Sequence, residues 1–173
     1  MAGFSTGDEV LEPGEKLPKG GIYDANRYML MALLGGLGAR VTDLGILPDD
    51  QARIEQALGQ AAEDHDLLFT SGGVSVGEED HVRSAVNAMG SLHLWQLAIK
   101  PGRPVALGQV GATPFIGLPG NPVAVAVTFL RFARPAVLRL AGAADTEPVS
   151  YRVTAGFDMK KKGGRVEWVR CRL

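Results

Sequence analysis

A three-layer α/β sandwich with a mostly parallel sheet is the fold class this sequence predicts. Helix-like and strand-like stretches alternate along the chain, which argues for helices packed on both faces of one sheet. The run Asp66-Leu67-Leu68-Phe69-Thr70 is short, apolar and flanked by polar and glycine residues, as a buried parallel strand should be. The 173 residues suffice for one such domain with a little left over.

The elements follow in order. Phe4 lies in a short apolar stretch that ends at once in Ser5-Thr6-Gly7-Asp8-Glu9, as though a first strand were cut short before its turn. After a loop over residues 12–21, a helix is expected from Asp24–Asn26. Leu30, Leu33, Leu34 and Leu37 line one face of it, and Gly38 is its stop. A strand is expected over Val41–Leu47, and Pro48-Asp49-Asp50 opens a second helix with Ile54, Ala57, Leu58 and Ala61 inward. The 66–70 strand delivers the chain into a glycine-rich segment. A third helix starts at Asp80 with Val82, Ala85, Val86 and Met89 on its buried face. Leu92–Ile99, Val105–Leu107 and Phe115–Gly117 read as strands. Asn121-Pro122 then opens a long helix, asparagine as N-cap and proline at the first position, which Pro135 should bend. Residues 1–145 form the expected core domain, its first strand truncated. Residues 146–173 are a linker and part of a β-rich C-terminal domain, with two strands joined through 160–164.

Composition excludes several classes of function. With 18 basic against 19 acidic residues and a formal net charge of −1, no broad cationic face for nucleic acid or anionic lipid is expected. No apolar run approaches the ~20 residues that span a bilayer, and the start lacks a signal-peptide pattern. The single cysteine, Cys171, excludes an intrachain disulfide and a cysteine-cage zinc site. A cytoplasmic location is the expectation.

In an open parallel sheet, ligands bind beyond the carboxyl ends of the strands, where this sequence concentrates its unusual residues. Gly72 and Gly73 let backbone close on a bulky anion, and Ser71 and Ser75 add hydroxyl donors just before a helix N-terminus. The same glycines would also serve a turn that needs them for geometry alone. Asp8, Glu9, Asp49, Asp50, Glu78, Glu79 and Asp80 would crowd a pocket for anions. A divalent cation such as Mg²⁺ resolves the conflict of sign, since it takes one or two carboxylates plus phosphate oxygens. Asp80, and Asp49 or Asp50, also sit where N-caps belong. Lys100 and Arg103 place positive charge on a proline-stiffened turn. Gly120 and Asn121 offer a second anion site, or simply a cap. Phosphate-loop and dinucleotide-binding glycine patterns are absent, and His65, His81 and His93 lack metal-ligand spacing.

Taken in order, Ser5-Thr6-Gly7-Asp8-Glu9, Ile22-Tyr23-Asp24-Ala25-Asn26, Ser71 to Asp80, Lys100-Pro101-Gly102-Arg103-Pro104 and Gly117 to Pro122 resemble the molybdopterin molybdenumtransferase family, including the corresponding domain of gephyrin. The resemblance implies the molybdenum cofactor-binding fold. It implies insertion of molybdate into adenylylated molybdopterin, with a divalent cation promoting pyrophosphate cleavage and release of AMP. It assigns Glu9, Asp49 and Asp80 to the metal and to catalysis, with Lys100 beside them. Thr6, Gly7, Ser71, Gly72, Gly73, Ser75, Lys100, Arg103, Gly120 and Asn121 are assigned to substrate. It further implies a homo-oligomer, a dimer or, for an isolated core, a trimer, and contact with the adenylyltransferase of the same pathway.

There are departures. Family members carry two further domains before this one and a complete β-domain after it, so a fragment of low or no activity is expected. Gln96 stands where some relatives have lysine. Two other readings stay open. One is the adenylyltransferase of the same fold, which typically has Gly-Gly-Thr-Gly where this chain has Gly72-Gly73-Val74-Ser75. The other is a non-catalytic binding or scaffold module.

Overall fold

The computed structural model describes residues 1–74, 80–161 and 163–171, apart from the side chains of Leu94 and Trp95. Strand β1 (Ala2–Thr6) leads through the short β2 (Val10–Leu11) and β3 (Ile22–Tyr23) to α1 (Asn26–Gly35). Then come β4 (Thr42–Leu47), α2 (Gln51–Asp64), β5 (Leu68–Ser71), α3 (His81–Met89) and β6 (Gly90–Gln96). They are followed by β7 (Ile99–Lys100), β8 (Pro104–Val110), β9 (Thr113–Leu118), α4 (Pro122–Thr128), α5 (Arg134–Leu140) and β10 (Val166–Glu167).

Six strands form the main sheet in the order β4-β1-β5-β9-β8-β6. The first four run parallel, and β8 and β6 close the other edge antiparallel. Side chains alternate across the sheet, so neighbouring residues feed two separate cores. Phe4, Leu68 and Phe115 pack with Ile54 and Leu58 of α2 and Val82 and Val86 of α3. Phe69 and Ile116 pack on the opposite face with Leu30 and Leu34 of α1, Val125 of α4 and Val137 of α5. The expected three layers result.

β1 pairs with β4 on one side and β5 on the other, reaching from Ala2 to Thr6. In the tail, only β10 forms as a strand among the described residues, where two were expected. It lies parallel to β7, pairing Val166 with Ile99 and Glu167 with Lys100, while the Arg131 guanidinium sits 4.3 Å from the centre of the Trp168 ring. The bend expected at Pro135 appears as a π-helical turn over Phe129–Ala133 between α4 and α5. Proline cannot donate to the carbonyl four residues back, and the widened turn absorbs that missing bond. α1 ends at Gly35, and the expected stop, Gly38, lies in the turn that follows with a φ of 82°, the left-handed conformation glycine adopts without cost.

Candidate functional site

The chain leaves β1 for α1 and β4 on one side and leaves β5 for α3 and the rest of the sheet on the other. β1 and β5 are therefore adjacent strands whose connections run in opposite directions, which opens a crevice at their carboxyl ends. A cleft of about 460 Å³ lies there. Its lining includes Ser5, Thr6, Gly7 and Glu9 after β1, Asp49 after β4, Ser71 to Val74 after β5, and Pro119, Gly120 and Pro122 after β9. Asp80 and His81 enter from the start of α3. The loops after β1, β4, β5 and β9 thus meet at one rim.

Ser5 and Ser71 stand opposite each other on β1 and β5. The hydroxyl oxygens of Ser5, Thr6 and Ser71 are buried without a hydrogen-bond partner among the described residues. Buried polar groups are normally satisfied, so three orphaned hydroxyls along one crevice call for a polar ligand or water. The Gly72 N–H is already committed, donating to the Leu118 carbonyl over 3.1 Å. Gly72 contributes its missing side chain and a φ of 87° rather than a free amide. Gly73, with a φ of 63°, has no room for a side chain: a Cβ would lie 2.6 Å from Val82 and 2.8 Å from Thr6.

The two aspartates after β4 divide the roles left open for them. Asp50 caps α2, its carboxylate accepting from the Arg53 N–H at 2.9 Å. Asp49 lines the cleft. Asp80 does both, capping α3 through the Arg83 N–H at 2.8 Å while lining the same cleft. Glu9, Asp49 and Asp80 therefore share one hollow. No group of three potential ligands among the described residues is close enough to hold a metal ion. The donor set suits magnesium held by one or two carboxylates together with substrate oxygens, not a preformed cage.

The expected cations lie elsewhere. Lys100 is outside the cleft lining, its Nζ 3.5 Å from Glu167 because β7 pairs with β10. Arg103 Nη2 donates to Gln96 Oε1 at 2.6 Å, so the glutamine holds the arginine along the β6–β8 edge. The neighbouring Pro104 lines the cleft, but no lysine or arginine does so among the described residues. Asn121 caps α4 through the N–H groups of Val123 and Ala124 and is not on the lining, which takes Pro119, Gly120 and Pro122 from that turn. Ser75, and Glu78 and Glu79 with it, lie outside the described residues.

Sequence reasoning missed Ser5, Asp24, Asn26 and His81 as lining residues. Ile22 to Asn26 carried the resemblance, yet nothing in their spacing gave them a role. His81 looked like a helix-edge residue; its position directly after Asp80 was the available signal. Asp24 is neutralised by Arg27, which also pairs with Glu12 and Asp43. Burial disfavours the guanidinium charge. Hydrogen bonds to Asp43 and Asp24 and the charges of Asp43 and Glu12 overcome that cost and push its pKa up.

A family described as a probable molybdopterin binding domain matches residues 2–139. The chain belongs to this family. It is 42% identical over 168 residues to the molybdopterin molybdenumtransferase of Haemophilus influenzae, covering 96% of this chain and 42% of that protein. Identity to the enzyme of the same name from Nostoc is 35% over 174 residues, covering 98% of this chain and 40% of that one. Among solved structures, the molybdopterin biosynthesis moeA protein of Pyrococcus horikoshii superimposes with a TM-score of 0.75 at 27% identity, over 96% of this chain and 39% of that one. The chain thus spans about two fifths of the length of the curated relatives it matches. Among the described residues, no helix is long and apolar enough to cross a membrane.

Proposed function

We propose that this chain is the substrate-binding core of a molybdenumtransferase of molybdenum cofactor biosynthesis, taking adenylylated molybdopterin and molybdate in the cleft at the ends of β1 and β5. The observation that carries the reading is the meeting of Glu9, Asp49 and Asp80 with the orphaned hydroxyls of Ser5, Thr6 and Ser71 in one crevice. Hydroxyl donors suit phosphate or molybdate oxygens. The acids suit a cation that comes with those oxygens. Bound there, Mg²⁺ would neutralise phosphate charge and make phosphorus easier to attack.

In the reaction, a water oxygen adds to the pterin-side phosphorus of the pyrophosphate link, its proton passing to solvent, and the bridging P–O bond to the AMP phosphate breaks. AMP leaves with that electron pair. The two dithiol sulfurs take molybdenum, and their protons depart with a molybdate oxygen as water. The chain's own part is to hold the phosphates and molybdate on Ser5, Thr6, Ser71, Gly73 and Ser75, and to keep Glu9, Asp49 and Asp80 facing them.

The relatives at 35% and 42% identity carry the name of the molybdenum-inserting enzyme, which supports this step over adenylyl transfer to molybdopterin. Cytoplasmic location, homo-oligomerisation and contact with the pathway's adenylyltransferase belong to the same proposal. So does the division into a core over 1–145 and a tail over 146–173.

The test has two parts. Calorimetric titration of the chain with adenylylated molybdopterin should give saturable binding, lost in a Ser5→Val/Ser71→Ala double variant. Incubation with molybdate and Mg²⁺ in the protein of full family length should then release AMP. Accumulation of adenylylated pterin from ATP would replace this reading with the earlier step. Absence of saturable binding would leave a scaffold module.

A further inference from the structure

The cleft has two chemically different ends. Its floor is polar, with the hydroxyls of Ser5, Thr6 and Ser71. Its rim carries Val10, Ile22, Pro119 and Pro122, all apolar.

Val10 and Ile22 stand opposite each other in the β2–β3 pair, and so do Leu11 and Tyr23. The second pair faces the 12–21 loop. A Cβ on Gly21 would lie 2.9 Å from Leu11 Cδ1, and the Tyr23 hydroxyl donates to the Glu15 carbonyl at 2.8 Å. Val10 and Ile22 line the cleft, as Tyr23 does from the same strand pair. Ile22 is nevertheless 53% exposed, so an aliphatic surface stands uncovered at the lip of a polar site.

Asn26 lines the same cleft. Its Nδ2 donates to the Gly120 carbonyl at 2.7 Å, which ties the start of α1 to the turn before α4 and fixes which way the amide points. Its Oδ1 is buried and has no hydrogen-bond partner among the described residues. An unmet buried acceptor is costly, and this one is oriented by its own donor. The group it asks for is a donor, an N–H or an O–H.

We propose that Asn26 and Ile22 bind the fused heterocycle of the ligand, Asn26 Oδ1 accepting from an exocyclic amino group while Ile22 covers a ring face. The proposal rests on the reading above, since it presumes that the floor holds the phosphate or oxyanion end. A purine and a pterin both present a flat ring with an amino edge, and the two are separated by experiment.

Two matched pairs of probes replace that amino group by a carbonyl, with a proton added on the neighbouring ring nitrogen: AMP against IMP, and 6-hydroxymethylpterin against 6-hydroxymethyllumazine. Calorimetric titration of the full chain should show a preference of about tenfold for the amino member of one pair, the size expected of one hydrogen bond. The pair that shows it identifies the ring.

Asn26→Ala should erase the preference, whereas Asn26→Asp, which keeps the acceptor and loses the donor to Gly120, should retain it. Ile22→Ser should weaken both members of that pair about fivefold and leave their ratio unchanged. A purely structural role for Asn26 would lower both members together without changing the ratio, and that result overturns the proposal. So does a wild-type protein that binds the probes without preference. If the wild type binds none of the four probes, the underlying functional reading falls as well.

Discussion

Arg27 and Asp24 are joined twice: the Arg27 N–H donates to Asp24 Oδ1 at 3.1 Å, and its Nε donates to Asp24 Oδ2 at 3.0 Å. Both side chains are almost wholly buried. The remaining guanidinium nitrogens reach Glu12 in the loop and Asp43 on β4. One cation therefore fastens the start of α1, the long loop after β2 and the neighbouring strand, and so fixes the wall of the cleft that carries Ile22 to Asn26.

Arg27→Ala should destabilise the chain by about 3 kcal/mol, because it strands the Asp24 carboxylate in the interior. Glu12 and Asp43 are half-exposed and regain water, so they add little to that figure. Arg27→Lys should recover less than half of the loss, since one ammonium cannot reproduce a planar fork spread over three carboxylates. Urea unfolding midpoints measure both.

Asp49 and Asp50 are adjacent, but the structure separates them by role. Asp50→Ala should cost about 1 kcal/mol of stability through the lost cap on α2 and leave ligand affinity within twofold. Asp49→Asn should do the reverse, keeping the urea midpoint and lowering Mg²⁺-dependent binding of a phosphate ligand at least tenfold. Equal behaviour of the two variants in both assays would contradict the division.

The layers of this fold were legible because its helices carry clean apolar faces and its central strands are short apolar runs; α1 to α3 start within two residues of where Asn26, Asp50 and Asp80 suggest. The convergence of Glu9, Asp49, Ser71 and Asp80 was legible too, since strand ends of a parallel sheet meet at one edge. Other features depend on partners distant in sequence. Nothing local told that Lys100 would turn to Glu167, which requires the tail to lay β10 beside β7. The Gly72 amide looked free until β9 supplied the Leu118 carbonyl. Asn26 gained a role only through Gly120, 94 positions away.

Tyr28 should ionise above the ordinary tyrosine value. Its hydroxyl donates to Glu12 Oε2 at 2.8 Å, and that hydrogen bond raises its pKa above the ordinary value of 10.0. The neutral form is the one favoured in the folded chain. The contact therefore contributes below about pH 10, the unfolded tyrosine value, and is lost as pH climbs through the raised folded value. Absorbance titration of tyrosinate should show a late component that Tyr28→Phe removes and that Glu12→Gln shifts to lower pH.

Gly73→Ala tests whether the glycine-rich turn and the cleft floor are one mechanical unit. At a φ of 63°, any side chain strains the backbone, and the new methyl would meet Val82 at 2.6 Å and Thr6 at 2.8 Å. Val82 is fully buried in the core beneath α3, so it has nowhere to retreat. Thr6 is the softer neighbour, and yielding there moves the floor hydroxyl. The expected cost is about 2–3 kcal/mol, from overpacking together with a strained left-handed residue. Phosphate-ligand affinity measured well below the unfolding midpoint should fall as well. Gly111→Ala is the control. Its φ of 57° brings the same backbone strain, but a methyl there meets nothing within 4 Å, so stability should drop by only about 1 kcal/mol with affinity unchanged.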